Sequence, residues 1–286
     1  MKIGLLCSGN LGLTLLKHLN ATYKVEFVMT DSKSDSIIAF STFEKIPVFS
    51  GNPRNNSTSE FTKDKTIDVL ISINYLFIIE KDLIDHPKMI SFNIHGSLLP
   101  KYRGRTPHVW AIINNEKKTG ITAHIIDEGC DTGEILEQIT IPISDDDSGS
   151  SILEKFADLY VPLVDSVLTK IKGNSLKKIP QKNELATYFG KRTPDDGKIN
   201  WNWQKERIRN WVRAQKSPYP GAFTFFNENK IIIDEIVYSD LGYSSELSNG
   251  TVISLLPLTV KTPNGAVEIT QFRNTLTDLK LNDVLN

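Results

Sequence analysis

Short apolar runs separated by glycine-containing turns open the chain and predict a parallel α/β sheet. Residues 2–8 form the first run, Gly9-Asn10-Leu11-Gly12 turns the chain into a helix that reaches about residue 19, and residues 24–30 form the second run. Strand, turn, helix and strand in this order begin a parallel sheet. Further strands are expected at 46–49, 67–73 and 89–94. The nearly unbroken apolar run at 67–73 is typical of a strand covered on both faces.

The apolar pattern then changes its period and predicts helices. Residues 107–115 favour a short helix with Pro107 near its start. Residues 151–171 favour a long helix preceded by Ser148, because apolar residues recur there at helical spacing. These are Ile152, Phe156, Leu159, Leu163 and Val167. Between the two helices, residues 121–126 and 134–141 resemble a hairpin whose connection contains Gly129 and Gly133.

After Gly173 the chain changes character. Residues 177–182 are polar and look like a connector, and residues 205–216 predict a short helix. Five short β runs follow at 222–226, 230–237, 251–255, 258–261 and 266–272, a spacing that suggests a small barrel or sandwich. We therefore expect an α/β fold with a Rossmann-like, mostly parallel sheet over residues 1–185, and a small C-terminal β-rich, OB-like domain over residues 200–286.

Charge and cysteine content narrow the class of protein. The 33 Lys and Arg residues nearly balance 34 Asp and Glu residues, for a net charge of −1, which argues against a broad nucleic-acid-binding face. Cys7 and Cys130 have no metal-ligand spacing, so we expect a reducing, cytoplasmic setting and no metal. The first apolar run is interrupted by Ser8 too early for a signal peptide, and no run approaches the ~18 apolar residues of a membrane span.

The first candidate site is the turn after strand one. A dinucleotide-binding turn needs glycines in the order G-x-G-x-x-G. Only Gly9 and Gly12 are present, and Leu15 occupies the place of the third glycine. A tight strand-to-helix turn is therefore favoured over a nucleotide site.

The second candidate site combines Asn93, His95 and Asp131. Residues i and i+2 of a strand point the same way, so Asn93 and His95 should project together from the end of the strand at 89–94. Taken separately, a buried histidine and an aspartate before Thr-Gly are ordinary structural features. Together they are an amide that can hold an oxyanion, an imidazole that can move protons and an acid beside it, which suits acyl transfer.

The residues around this site resemble a known family. Phe92-Asn93-Ile94-His95-Gly96-Ser97-Leu98-Leu99-Pro100-Lys101-Tyr102-Arg103-Gly104 is similar to the signature of formyltransferases that use 10-formyltetrahydrofolate. The resemblance continues at 120–122, 131–135, 189–196 and 218–223. The Leu-Leu-Pro-Lys-Tyr-Arg-Gly run narrows it to the methionyl-tRNA and amino-sugar branches.

The resemblance implies roles for the three residues. Asn93 would bind the formyl oxygen as it becomes an oxyanion, and His95 would relay protons around the tetrahedral intermediate. Asp131 would hold His95 and raise its pKa. The residues implied at the formyl donor are Phe77, Ile78, Ile79, Arg105, Asp127, Glu128, Gly129 and Cys130.

Two further groups are candidates for binding the acceptor. Basic residues could face an anionic ligand or be ordinary solvated charges: Lys101, Arg103, Lys191 and Arg192. Aromatic residues could stack on a nucleotide base or belong to the core: Tyr75, Trp110 and Tyr219.

The stretch after strand two bears on the identity of the acceptor. The resemblance implies that methionyl-tRNA formyltransferases have a basic insertion there, whereas this chain has a short stretch in which Asp31 and Asp35 flank Lys33. Residues 104–110 and 192–196 look more like the amino-sugar enzymes of the family. The resemblance therefore implies a dTDP- or UDP-linked amino sugar as the acceptor, used for surface polysaccharides such as lipopolysaccharide O-antigen, and a homodimer. Methionyl-tRNA formyltransferase and a non-catalytic folate- or nucleotide-binding protein are the alternatives. The sugar and the position of its amine stay open.

Overall fold

A computed structural model of the protein describes residues 1–55, 57–273 and 278–286. Its strands are β1 (Lys2–Cys7), β2 (Lys24–Thr30), β3 (Val48–Ser50), β4 (Val69–Ile73), β5 (Ile90–His95), β6 (Arg103–Gly104), β7 (Lys118–Ile125), β8 (Ile135–Pro142), β9 (Tyr188–Phe189), β10 (Ala222–Phe226), β11 (Asn229–Ser239), β12 (Val252–Leu255), β13 (Leu258–Thr262) and β14 (Gly265–Phe272). Its helices are α1 (Gly9–Thr22), α2 (Asp35–Phe43), α3 (Ser59–Thr62), α4 (Lys81–Ile84), α5 (Pro107–Ile113), α6 (Gly149–Lys172) and α7 (Lys205–Gln215). Over these described ranges no helix is both long and apolar enough to span a membrane.

The chain forms two compact units by its internal contacts. The first comprises residues 1–104, 120–140 and 156–188, and the second comprises residues 105–119, 141–155 and 189–286. The grouping follows contacts rather than chain order: α5 belongs with the second unit, where it packs against α7. The predicted boundaries along the chain, 1–185 and 200–286, stay a prediction.

The first unit is built on a seven-stranded sheet with the order β3-β2-β1-β4-β5-β7-β8. The pairs β1–β2, β1–β4, β2–β3 and β4–β5 are parallel, whereas β7 runs antiparallel to β5. This confirms the mostly parallel sheet. Since the carboxyl ends of β1, β4 and β5 lie at one edge, Asn93 and His95 are delivered to the edge where such folds place ligands.

The core of the first unit explains these elements. All five residues of β4 are buried, as the apolar run predicted, and Leu15, Leu16 and Leu19 of α1 are inaccessible to solvent. Burying each such side chain contributes about 1.5–3 kcal/mol. A Cβ on Gly12 would lie 2.8 Å from Cβ of Cys7, so close packing of α1 on β1 requires this glycine. That packing agrees with the tight-turn interpretation.

The second unit has a five-stranded antiparallel sheet with the order β10-β11-β14-β13-β12. The five β runs predicted after residue 221 are all observed, and helix α7 packs on β11. The expected fold class, a Rossmann-like α/β domain with a small β-rich domain, is confirmed.

In the first unit, the strand predicted at 46–49 begins only at Val48, because Pro47 has no N–H to donate to a ladder. Helices α2, α3 and α4 were not predicted.

Candidate active site

Strand β5 brings Asn93 and His95 to one face at its carboxyl end. His95 is 7% exposed, and its Nε2 lies 2.7 Å from the carbonyl oxygen of Tyr102. The carboxylate of Asp131 arrives from the loop after β7, with Oδ2 3.5 Å from Nδ1 of His95. The structure therefore brings together the three residues that were predicted as catalytic.

The contacts of His95 fix which of its nitrogens can move a proton. A carbonyl oxygen only accepts hydrogen bonds, so Nε2 holds the proton in neutral His95 and Nδ1, which faces Asp131, is the basic nitrogen. Burial lowers the pKa of His95, and the opposing charge of Asp131 raises it by less. The prediction that Asp131 raises the pKa of His95 is correct for that one contribution but wrong for the net shift, because burial outweighs it. His95 is thus neutral at neutral pH and able to accept a proton.

Asp131 is held in a conformation that ordinary residues disfavour. Its φ is 55°, in the left-handed region, and its Oδ2 accepts a hydrogen bond of 2.8 Å from the backbone N–H of Gly104. Burial would raise the pKa of Asp131, but the contact with His124, the charge of His95 and the Gly104 N–H together lower it well below its usual range. The carboxylate is therefore ionised and ready to stabilise an imidazolium on His95.

His124 completes the cluster, although the sequence pattern did not single it out. It stands opposite Asn93 in the β5–β7 ladder and is 3% exposed. Its Nε2 lies 3.2 Å from Nδ2 of Asn93 and 3.5 Å from Oδ1 of Asp131, so it links these two residues. A histidine inside the mostly apolar run 121–126 was the available signal, but only the strand register shows which residue it contacts.

Side chains behind the site hold the loop that follows β5. Thr122 Oγ1 donates to the carbonyl of Ser97 at 2.6 Å, and Gln138 Nε2 donates to Thr122 Oγ1 and to the carbonyl of Leu99, both at 2.9 Å. These bonds link β7 and β8 to the turn that carries the chain from His95 to Tyr102. Among the described residues, no group of three His, Cys, Asp or Glu side chains is arranged to hold a metal ion.

Comparison with known proteins places this site in a family. The profile described as formyl transferase matches residues 20–168, and the profile described as formyl transferase, C-terminal domain, matches residues 191–281. The chain belongs to the formyl transferase family. The resemblance seen in the sequence is thereby confirmed.

One curated relative of this formyl transferase is the bifunctional polymyxin resistance protein ArnA of Wigglesworthia glossinidia brevipalpis. It is 35% identical over 273 residues, which are 93% of this chain and 40% of that protein. The chain thus spans well under half the length of this relative.

Solved structures share the fold of this formyl transferase. The sugar 3N-formyl transferase WlaRD, crystallised with dTDP and 5-N-formyl-THF, matches with a TM-score of 0.68 and 23% identity, over 96% of this chain and 99% of its own. The N-formyltransferase from Helicobacter canadensis, in complex with folinic acid and dTDP-3-aminofucose, matches with a TM-score of 0.65 and 23% identity, over 95% and 98%. A 4-N formyltransferase from Francisella tularensis matches with a TM-score of 0.68 and 21% identity, over 81% and 96%.

The residues predicted at the formyl donor lie on two segments of the first unit and at one position of the second. Phe77 and Ile79 are half-buried, and Ile78 is 67% exposed. Asp127, Glu128, Gly129 and Cys130 form an exposed loop that leads directly into Asp131. Arg105 is an exposed residue of the second unit. Their contacts with a donor stay a prediction.

The predicted acceptor residues of the first unit differ in accessibility. Lys101 is exposed. The hydroxyl of Tyr75 is buried without a hydrogen-bond partner in the described part of the chain, and its ring packs against Phe77 at 5.4 Å between centroids. Arg103 is 1% exposed, and its guanidinium donates to Gln181, Asn183 and Tyr188. Burial and these partners favour a structural role for Arg103 over the anion contact that was predicted.

The predicted acceptor residues of the second unit include a stacked group. The Arg192 guanidinium lies 5.0 Å from the ring centre of Trp110 and 4.4 Å from that of Trp211. Trp110 also packs on Phe189 at 4.8 Å between centroids. Tyr219 is half-buried with its hydroxyl 3.0 Å from Nε2 of His108, and Lys191 is exposed. Core packing and ligand stacking are both compatible with these contacts.

Proposed function

We propose that this formyl transferase moves a formyl group from 10-formyltetrahydrofolate to the amino group of a nucleotide-linked, dTDP or UDP, amino-deoxy sugar. The observation that carries the proposal is the cluster of Asn93, His95 and Asp131 at the carboxyl edge of the sheet, in which His95 is buried and Asn93 and Asp131 are half-buried. Support for a sugar acceptor comes from the structural neighbours, which include a sugar 3N-formyl transferase, and a 4-N formyltransferase is also among them. Because both kinds occur among them, the position of the amine stays open.

The cluster can perform each proton movement that the transfer needs. The sugar amine attacks the formyl carbon, a carbon–nitrogen bond forms, and negative charge develops on the formyl oxygen. Asn93 Nδ2 bears two N–H bonds: one points to His124, and the other donates to this oxygen. Nδ1 of His95 takes the proton of the attacking amine while Asp131 stabilises the imidazolium. The bond from the formyl carbon to N10 of the folate then breaks, and N10 receives the proton.

The stretch between β2 and α2 favours a small acceptor over tRNA. Residues 31–34 connect these two elements, and Asp31 folds the connection onto itself by accepting from Ser34 Oγ at 2.7 Å and from the Lys33 N–H at 2.9 Å. A short folded turn with a single lysine offers a polyanion few cationic groups, and the net charge of the chain is −1. Binding of tRNA would need several basic contacts, since phosphate neutralisation dominates such affinity.

The proposal extends to the setting of the reaction. We propose that the formylated amino sugar is destined for a surface polysaccharide, such as lipopolysaccharide O-antigen. We place the reaction in the cytoplasm and expect a homodimer.

The test supplies the purified protein with 10-formyltetrahydrofolate and a panel of dTDP- and UDP-linked 3-amino and 4-amino sugars. Tetrahydrofolate release and the mass of the formylated sugar are both measured, so that hydrolysis of the donor is not counted as transfer. At least one sugar is expected to be formylated, and His95→Ala is expected to abolish turnover while still binding the donor. No formylated product with any sugar would refute the sugar acceptor.

A parallel reaction with methionyl-tRNA separates the alternatives. Formylation of methionyl-tRNA, with binding that weakens steeply as salt rises, would replace the sugar by tRNA as the acceptor. Binding of the donor with no transfer to either acceptor would favour the non-catalytic alternative.

A further inference from the structure

The connector after α6 makes direct contact with the active-site loops of the first unit. Residues 177–182 are a polar connector by sequence pattern, but the side chain of Gln181 uses both ends of its amide. Its Oε1 accepts from Arg103 Nε at 3.2 Å and from Arg103 Nη2 at 2.7 Å. Its Nε2 donates to the carbonyls of Asp131 at 2.9 Å and Gly133 at 2.7 Å. Gln181 therefore joins two loops that are far apart in sequence.

These two loops hold the two groups that contact the ring of His95. Tyr102, next to Arg103, provides the carbonyl that accepts from Nε2, and Asp131 provides the carboxylate beside Nδ1. The loops also meet each other, because the Gly104 N–H donates to Asp131 Oδ2 at 2.8 Å. The geometry around His95 thus depends on how firmly one loop is held to the other.

Both contacting residues adopt backbone conformations that need outside support. The φ of Tyr102 is 61° and that of Asp131 is 55°, both in the left-handed region that side chains disfavour. The segment between α6 and β9 supplies a bond at each of them. Thr187 Oγ1 accepts from the Tyr102 N–H at 2.8 Å, and Gln181 donates to the Asp131 carbonyl. Strained residues of this kind persist only where their surroundings over-determine them.

We infer that Gln181 is a positioning residue, whose amide fixes the Asp131 carboxylate relative to the Tyr102 carbonyl and so holds His95 in its working orientation. The inference rests on the proposed function only where turnover is the readout.

Two substitutions separate positioning from a purely structural role. Gln181→Glu keeps an oxygen for Arg103 but cannot donate to the carbonyls of Asp131 and Gly133. Asn183→Ala is the matched control, since Asn183 Oδ1 accepts from the same guanidinium at 2.9 Å without contacting the Asp131 loop. We expect Gln181→Glu to lower kcat about 10- to 100-fold, with KM for donor and acceptor within about twofold. Asn183→Ala should keep kcat within about twofold of the wild type. A Gln181→Glu enzyme with wild-type kcat would overturn the inference. In that case the bond to Arg103 would suffice, and the bonds from residue 181 to the carbonyls of Asp131 and Gly133 would not matter for catalysis.

A second measurement does not depend on turnover. Gln181→Met removes the amide without adding charge, and ¹⁵N-histidine NMR follows the titration of His95, identified by the signal absent from His95→Gln. The groups facing the His95 ring are the Asp131 carboxylate, His124 at 6.4 Å between centroids and the Tyr102 carbonyl. Asp131 raises the pKa of His95, so a loosened Asp131 should lower that pKa.

The two measurements distinguish failure of the proposed function from failure of the positioning role of Gln181. If the wild type formylates no acceptor, the proposed function fails and the titration alone decides on Gln181. An unchanged His95 titration in Gln181→Met would then overturn the positioning role, and a lowered pKa would support it.

Discussion

The amide nitrogen of Asn93 lies 3.2 Å from Nε2 of His124, the residue directly opposite it on the neighbouring antiparallel strand. Nδ1 of His124 is 2.8 Å from the carbonyl of Ile125, so this nitrogen holds the proton and Nε2 accepts from Asn93. The orientation of the Asn93 amide is therefore set by His124. With the nitrogen turned inward, its second N–H remains for the oxygen on which charge develops.

Removing the ring nitrogens of His124 should impair catalysis more than stability. His124→Phe keeps the volume but leaves Asn93 without its acceptor, and we expect kcat to fall about 10- to 100-fold, as for other residues that orient an active-site group. His124→Gln restores a polar partner and should recover part of the loss. Steady-state kinetics of both variants test this. A His124→Phe enzyme as fast as the wild type would contradict it.

Asn93 itself should contribute mainly to stabilising the transition state. Asn93→Ala removes the N–H that faces the developing oxyanion, and loss of one such donor lowers kcat about 10²- to 10³-fold. Binding of tetrahydrofolate, measured by calorimetry, should change little because this bond strengthens only as charge develops. Weakened binding with an unchanged kcat would assign Asn93 to ground-state recognition instead.

The pH profile should report the buried environment of His95. Burial lowers the pKa of His95 from its usual 6.5, so kcat/KM, which needs the neutral base, should fall only at pH values below about 6.5. Asp131→Asn removes the charge that raises this pKa. The acid limb should therefore move to still lower pH, while kcat decreases because the imidazolium loses its partner. The pH profiles of kcat/KM for the wild type and Asp131→Asn test the direction of this shift. An acid limb that moves to higher pH in Asp131→Asn would contradict it.

The sequence could predict the part of the site that depends on local pattern. The apolar run of β5 and the two-residue spacing place Asn93 and His95 on one face without knowledge of the rest of the fold. His124 was beyond reach because its contact with Asn93 depends on the register between β5 and β7. Gln181 was also beyond reach, since the path of a polar connector across two loops leaves no periodic signal.

The net shift in the pKa of His95 shows a different limit of prediction from sequence. The family resemblance gave the correct partner, Asp131, and the correct sign for its charge. It could not give the degree of burial, which outweighs that charge. Such a competition is decided by desolvation, and desolvation follows from the packing of the whole unit.

Asp147 should make the second unit sensitive to acid. Its carboxylate is buried and accepts from the Ser144 N–H at 2.7 Å, from Ser151 Oγ at 2.8 Å and from Lys155 Nζ at 2.7 Å, which lower its pKa to about 2 against the opposing effect of burial. A depressed pKa stabilises the folded state above about pH 4, and this contribution is lost as pH falls toward 2. Asp147→Asn should cost roughly 2 kcal/mol near pH 7. Urea unfolding should show the difference from wild type shrinking between pH 5 and pH 3, and a constant difference would contradict the assignment.

Gly133 should tolerate no side chain, because the loop that ends at Asp131 passes too close to β7. A Cβ at Gly133 would lie 2.1 Å from the carbonyl oxygen of Ile125, whereas at Gly173, in the same unit, the nearest atom would be 3.5 Å away. Gly133→Ala must push the Asp131 loop outward, so we expect a loss of about 1–3 kcal/mol in unfolding free energy. We also expect a fall in kcat, since Asp131 moves relative to His95. Gly173→Ala, the matched control, should change stability by no more than about 0.5 kcal/mol and leave kcat unaltered. Equal behaviour of the two alanine variants in urea unfolding and steady-state kinetics would show that the loop is free to move without consequence for the site.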